Sequence, residues 1–255
     1  MSTIAILLTG TTDLDHIYGD FFDQSKTLLK QSGLSENYDI KLYDAQNSQF
    51  PTKDELNTII KGIWVTGSPE TVVDNDEQWI LNNIQFLKSI FDQYDIPVVG
   101  ICFGHQLISR AIGGKVIKNP KGWELGIEQI KINKSDEDVQ SLFQIGTNLE
   151  DNHKNNDHYF NVVQIHSDIV IEVPSDYKII GSTKKTNIQG IYKKNKVLTL
   201  QGHPEFTTKF IEALIKHLYA QKIFGFDEYE AAISSIENLQ PNGIELGKLI
   251  VNFFG

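Results

Sequence analysis

The sequence predicts an α/β protein: a parallel β-sheet flanked by helices, with a smaller antiparallel β extension. Three observations predict it. In the first hundred residues, short runs that are apolar on both faces alternate with segments of helical periodicity. Beyond residue 114 the strand-like runs become short and close together, which suits hairpins. From Thr207 onward the pattern is helical.

Residues 4–8, Ile-Ala-Ile-Leu-Leu, form the first strand and end at Thr9-Gly10. A helix over 21–31 carries Phe21, Phe22, Ser25, Leu28 and Leu29 on one stripe. Residues 40–43 form a second strand. Thr52-Lys53-Asp54-Glu55 is a capping box, in which the first and last residues satisfy each other's backbone donors and open a short helix. Residues 63–65 form a third strand, broken by Thr66-Gly67-Ser68-Pro69. Ile80, Ile84, Leu87 and Phe91 face the core from a long helix over 76–94, and residues 97–101 form a fourth strand. This alternation gives a parallel sheet with helices on both faces. Further strands are expected at 115–117, 128–132, 162–165, 179–182, 189–192 and 197–200. Residues 148–158, rich in Asn and Asp, read as a long surface loop. No repeat and no Pro/Gly/Ser linker interrupts the chain, so one domain over 1–255 is expected.

A chain of 255 residues, 40% hydrophobic and 10% aromatic, can bury a full core. The formal net charge is −10, and no basic run of five or more occurs. Such a surface repels phosphate backbones and anionic lipid, so no nucleic acid and no membrane partner is expected. The apolar N-terminus carries no basic residue and is too short for a signal peptide or a bilayer span. A single cysteine excludes an internal disulfide, and a reducing compartment, the cytoplasm, is expected.

That cysteine lies in Gly100-Ile101-Cys102-Phe103-Gly104-His105-Gln106. A lone cysteine is ordinarily a small inert core residue. Here glycines flank it at both second neighbours, and it stands between a buried strand and a helical pattern over 106–112. That is the arrangement of a nucleophile elbow, whose turn is too tight for flanking side chains. The following helix would set its free N–H groups beside the sulfur and stabilise a thiolate by roughly 0.3–1 kcal/mol or more.

A thiol nucleophile needs a base, and the base needs an orienting group. Gly202-His203-Pro204-Glu205 follows the strand at 197–200. Residues two apart in extended chain point the same way. Glu205 can therefore hold one ring nitrogen of His203 and leave the other for Cys102. By itself His-Pro-Glu would also suit a surface turn. Of the other histidines, His153 and His158 fall in the polar loop, and His217 reads as structural on a C-terminal helix. His105 is expected to point along the helix it opens. No compact His/Cys/Asp spacing supports a metal.

The elbow and the Gly202–Glu205 segment together, in this order and separation, resemble the class I glutamine amidotransferases. Within that class the chain is similar to the stand-alone group related to the glutaminase part of GMP synthetase, which includes γ-glutamyl peptidases. Trp64-Val65-Thr66-Gly67-Ser68, Asn75-Asp76 and Trp79-Ile80 resemble that group's oxyanion loop and following helix. Gln164-Ile165-His166-Ser167-Asp168 resembles its second substrate segment.

The resemblance implies a flavodoxin-like fold and a Cys102-His203-Glu205 triad. It also implies an oxyanion hole from the N–H groups of Gly67 and Phe103. Gln106 and the backbone around His166 and Ser167 would bind the glutamyl amino and carboxylate groups. His166 also reads as a residue that orients its own loop. The family's oxyanion loop often reads Gly-Gly-Pro or Gly-Pro-Gly, whereas here it is Gly67-Ser68-Pro69, so Gly67 is the residue carried over.

The chemistry so implied is acyl transfer at a small γ-glutamyl substrate, with no metal, nucleotide or redox cofactor. Three readings follow: a free-standing hydrolase of γ-glutamyl peptides, a glutaminase subunit delivering ammonia to a separate synthase, and a non-catalytic binding protein of the same fold. The intact Cys102, His203 and Glu205 set disfavours the third. The lack of a synthase domain or ATP loop in the sequence favours the first. A synthase partner and self-association both remain open.

Overall fold

The structure, a computed structural model, describes residues 1–144, 151–152 and 157–255. Its elements in chain order are β1 (Ser2–Leu8), α1 (Asp15–Tyr18), α2 (Phe21–Gln31), β2 (Tyr38–Asp44), α3 (Lys53–Thr58), β3 (Ile60–Val65), α4 (Gln78–Gln93), β4 (Val98–Ile101) and α5 (Phe103–Ala111). There follow β5 (Lys115–Lys118), β6 (Glu124–Ile132), α6 (Glu137–Gln144), β7 (Asp151–Asn152), β8 (Asp157–His166), β9 (Asp168–Glu172), β10 (Lys178–Ile179), β11 (Gly181–Ser182), β12 (Ile191–Lys193) and β13 (Val197–Leu200). Helices α7 (Thr208–Ala220), α8 (Phe226–Asn238) and α9 (Gly243–Phe254) complete the order.

A seven-stranded sheet in the order β10-β12-β13-β4-β3-β1-β2 forms the centre. Strands β2, β1, β3, β4 and β13 are mutually parallel, while β12 and β10 add an antiparallel edge. This parallel order is flavodoxin-like. Alternation along each strand divides the core into two layers. Ala5, Leu7, Ile63, Val65, Val98 and Val197 pack with α3, α4 and α5 on one face. Ile4, Ile6, Trp64, Val99, Ile101 and Leu198 pack on the other with α2, α9 and the strands β6 and β8. The capping box at Thr52 and Glu55 forms as expected.

The antiparallel extension is a four-stranded sheet, β11-β6-β8-β7, beside a two-stranded β5-β9 ribbon. Several expectations need correction here. The run at 179–182 is two strands: Lys178–Ile179 joins the central sheet and Gly181–Ser182 joins the second, so the chain changes sheets at Ile180. Gly181 permits this because a Cβ there would lie 2.5 Å from the Lys131 carbonyl oxygen. The expected loop at 148–158 is partly strand, since Asp151–Asn152 pairs with Asp157 and His158. Residues 148–150 and 153–156, His153 among them, lie outside the described residues. Helix α6 and strand β9 were not expected. Helix α6 has only eight residues and buries Val139 and Leu142, too short a pattern for periodicity to resolve. The helical tail divides into three helices at Gly225 and Pro241.

The feature that positions the site is the turn from β4 into α5. Cys102 has φ 51° and ψ −105°, a left-handed conformation that non-glycine residues rarely adopt. The helix begins at Phe103, three residues before the expected Gln106, because the Cys102 carbonyl already accepts the first helical bond from the Gln106 N–H at 3.1 Å. A Cβ on Gly100 would lie 2.5 Å from Ile108 Cδ1 and 2.7 Å from the Gly104 oxygen. One on Gly104 would lie 2.4 Å from the Val65 carbonyl oxygen. In an open helix Gly→Ala gains roughly 0.5–1 kcal/mol; here the new methyl meets rigid backbone. Gly104→Ala is therefore expected to destabilise the protein by about 1–3 kcal/mol, read as a lower urea midpoint at unchanged slope.

Candidate active site

Parallel pairing of β4 with β13 brings two chain segments to the same sheet edge. Ile101 is in register with Leu200, and the Cys102 N–H donates to the Leu200 carbonyl at 2.8 Å. His203 lies just beyond the end of β13. Its N–H donates to the Val163 carbonyl of β8 at 2.8 Å, forming an isolated bridge between the two sheets. A Cβ on Gly202 would lie 2.6 Å from Val162, so the crossing needs glycine there.

His203 Nδ1 lies 2.8 Å from Glu205 Oε1, and both side chains are almost fully buried. The ring stacks on Phe206 with centroids 3.9 Å apart and planes 11° from parallel. Phe21 flanks the same cluster. Burial by itself lowers the pKa of the imidazole. The opposing charges of Glu205 and Cys102 and hydrogen bonds to both outweigh it, pushing the pKa from 6.5 up to about 10. The ring is therefore an imidazolium at neutral pH, clamped on Nδ1 by the carboxylate and coupled to the sulfur.

The loop after β3 closes the other side. A Cβ on Gly67 would lie 2.7 Å from His203 Cε1, so this loop and the imidazole are in contact. Thr9 and Thr66, both fully buried, fix it: Thr9 Oγ1 donates to the Thr66 or Gly67 carbonyl oxygens, at 3.0 and 2.9 Å, and the Thr9 N–H donates to Thr66 Oγ1 at 3.0 Å. The Gly104 N–H donates to the Thr66 carbonyl at 3.1 Å, tying α5 to the same loop. Phe103 opens α5, where its N–H has no intrahelical acceptor. Its ring is buried against Trp79.

Cys102, Gln106, His166, Ser167 and His203 line one cavity of about 410 Å³. Gln106 Nε2 donates to the Asp168 carbonyl or to Gln201 Oε1, each at 3.1 Å. His166 Nδ1 lies 3.0 Å from the same Asp168 oxygen. The Ser167 carbonyl accepts from the Asn119 N–H at 2.7 Å. Asp168 lies 2.7 Å from the Lys118 ammonium and accepts from Thr71 Oγ1 at 2.5 Å. Among the described residues no group of three His, Cys, Asp or Glu is placed to hold a metal ion.

Sequence reasoning passed over Glu124. This carboxylate is 1% exposed and lies 3.1 Å from His166 Nε2. Thr186 Oγ1 and Gln189 Nε2 donate to it at 2.6 and 2.9 Å, and Thr183 donates to its other oxygen. Burial would raise its pKa, but the bonds from His166, Thr183 and Thr186 hold it below the ordinary value. Its one signal was an acidic residue in strand register with Ile130 and Ile132, hidden because the strand was expected to start at Glu128. Two histidines also differ from expectation. His105 points beneath the elbow, fully buried, with Nδ1 2.6 Å from Thr199 Oγ1; burial pushes it down to about 3. His217 on α7 lines the cavity instead of serving only to pack its helix.

Residues 17–218 match the family Glutamine amidotransferase class-I. A glutamine amidotransferase-like protein of Schizosaccharomyces pombe is 33% identical over 98% of this chain and 97% of its own length. The protein named gamma-glutamyl peptidase 3 of Arabidopsis thaliana is 26% identical over 97% of this chain and 94% of its own. Among solved structures, a glutamine amidotransferase of Thermotoga maritima superimposes with a TM-score of 0.67 at 18% identity, covering 100% of this chain and 98% of that one.

The His203–Glu205 pair has a consequence for stability. A pKa raised in the folded state contributes stability that is fully present below pH 6.5 and is lost as pH rises toward about 10. Glu205→Gln removes the carboxylate charge. The stability difference between the native protein and Glu205→Gln should shrink from pH 6.5 to pH 10. The His203 ring resonances of the variant, followed by NMR, should titrate well below those of the native protein.

Proposed function

This chain belongs to the class-I glutamine amidotransferase family, and from that membership we propose that it hydrolyses γ-glutamyl amides through a thioester on Cys102. The observation that carries the reading is the buried His203 ring, fixed by Glu205 on Nδ1 at 2.8 Å and lining one cavity with Cys102. Such a pair presents a ready nucleophile and a ready proton donor together.

In the proposed reaction Cys102 Sγ attacks the side-chain carbonyl carbon of a γ-glutamyl amide. The N–H groups of Gly67 and Phe103 receive the oxyanion, a donor pair whose members are each worth about 10²–10³ in rate in comparable sites. His203 gives its proton to the leaving nitrogen, the C–N bond breaks, and a γ-glutamyl thioester remains. Water then loses a proton to His203 and attacks the thioester, releasing glutamate and the thiolate. Gln106 and the backbone at His166 and Ser167 hold the glutamyl amino and carboxylate groups, with Glu124 fixing the His166 ring. No step calls on a metal or an organic cofactor. A reduced thiol nucleophile suits a reducing compartment such as the cytoplasm.

We favour a free-standing peptidase over an ammonia-delivering subunit. A relative matching nearly end to end bears the name gamma-glutamyl peptidase, and the cavity is larger than an amide NH₂ requires. A glutaminase coupled to a synthase benefits from staying slow until its partner assembles the site, because free ammonia is wasted.

Cys102→Ala is expected to abolish hydrolysis without unfolding the chain. A diazo-ketone glutamine analogue should add one equivalent, found by mass spectrometry on the Cys102 peptide. Full activity in Cys102→Ala would overturn the mechanism. For the native chain, kcat/KM for γ-glutamyl-alanine should exceed that for glutamine. If glutamine is preferred, or both stay inert until a second protein is added, the synthase-subunit reading replaces this one.

A further inference from the structure

The cavity at Cys102 has a second, apolar wall that glutamate recognition does not use. Polar groups converge at one end, around Gln106, His166 and Asp168. The lining also holds Leu214 and Leu218 of α7, Ile223 just past it, and Trp123 from the segment before β6, beside the polar His217 and Gln221. Helix α7 ends in a motif that sets two of these side chains together. Lys222 is left-handed with φ 62°, its N–H donates to the Tyr219 carbonyl at 2.9 Å, and the Ile223 N–H donates to the Leu218 carbonyl at 3.1 Å. This paired pattern is a Schellman cap, which commonly brings its outer residue, Ile223, against Leu218. Ile223 is 47% exposed, and Leu218 is half-buried.

The wall is rigid. Trp123 packs edge-on against buried Phe224, with centroids 6.1 Å apart. His217 Nε2 lies 3.1 Å from Asp13 Oδ2, tying α7 to the loop after β1. Single exposed apolar side chains are common on protein surfaces. Here exposed Ile223, half-buried Leu218 and Trp123 and buried Leu214 share one concave cavity with the reactive thiol and imidazole, which makes them a binding feature.

Position decides which part of a substrate they meet. The leaving nitrogen must sit against His203, which donates its proton. His203 stacks on Phe206, and Phe206 belongs to the same apolar cluster as Phe21, Leu214, Leu218 and Trp123. A substituent beyond that nitrogen therefore runs onto α7. We infer that Leu214, Leu218, Ile223 and Trp123 form a leaving-group subsite, and that the preferred substrates are γ-glutamyl amides of amino acids with bulky apolar side chains. The inference rests on the γ-glutamyl hydrolase reading and goes beyond it by naming the second residue.

Two measurements separate the inference from that reading. Turnover of γ-glutamyl-phenylalanine, γ-glutamyl-glycine and glutamine by the native chain tests both. The subsite predicts kcat/KM for the phenylalanyl substrate about 10-fold or more above the glycyl one, the scale at which apolar pockets discriminate. In Leu218→Ser and Ile223→Ser that ratio should fall toward one. Ile223 is exposed, so its variant keeps the test alive if Leu218→Ser fails to fold. A native ratio near one, or a ratio unchanged in both variants, overturns the subsite while leaving the hydrolase in place. If no substrate is turned over, the hydrolase reading fails, and calorimetric binding to Cys102→Ala judges the subsite alone. Binding of γ-glutamyl-phenylalanine about 10-fold tighter than γ-glutamyl-glycine, and lost in Ile223→Ser, supports it; equal binding overturns it.

Discussion

Every other feature of the site depends on how closely the first turn of α5 approaches the end of β3. The Gly104 N–H reaches the Thr66 carbonyl at 3.1 Å, and no side chain fits between them. That contact fixes the loop bearing Gly67 relative to the helix bearing Cys102. It also forces the left-handed backbone at Cys102, a strain on the order of 1–3 kcal/mol that surrounding packing must offset. The two fully buried threonines, Thr9 and Thr66, hold the loop from below. The donors proposed for the oxyanion are thus backbone groups held on both sides, which need little rearrangement during reaction.

The second sheet supplies what the central sheet cannot. Beyond β13 the chain needs another support, and β8 gives it by pairing Val163 with His203. Three residues along, β8 ends at His166, with Ser167 just beyond it, the segment proposed to bind substrate. One strand therefore sets the distance between the histidine proposed as base and the glutamyl-binding residues. Beneath it, Glu124 and its hydroxyl and amide partners make a buried polar cluster in which the charge is well satisfied. Such a cluster rigidifies when complete and is costly when any member is missing.

The central sheet was legible because its strands are apolar on both faces and its helices are long enough to show a period. The 21–31 helix was bounded to the residue, and Cys102 and the His203–Glu205 pair were singled out because each lies in a short local pattern. What stayed hidden was carried by contacts distant in sequence. Thr9 meets Thr66 across 57 positions and Thr186 meets Glu124 across 62, and neither spacing leaves a local trace. His105 was expected to point along a helix it opens; with α5 starting at Phe103 its side chain turns inward to Thr199. Likewise, the cavity role of His217 depends on where α7 packs, which periodicity does not specify.

The pairing of β4 with β13 also sets an order of events in time. Roughly a hundred residues separate Cys102 from His203, and they build the second sheet and the antiparallel edge of the first before β13 is made. At about 5–20 residues per second, a ribosome exposes the cysteine for on the order of 5–20 s before the histidine exists. Until β13 inserts between β4 and β12, the thiol has neither its carboxylate-clamped partner nor the bridge to β8. Such a distant strand pairing is a slow, late step in folding. The reactivity proposed for Cys102 is thereby withheld from the nascent chain and arrives only with the last strand of the sheet.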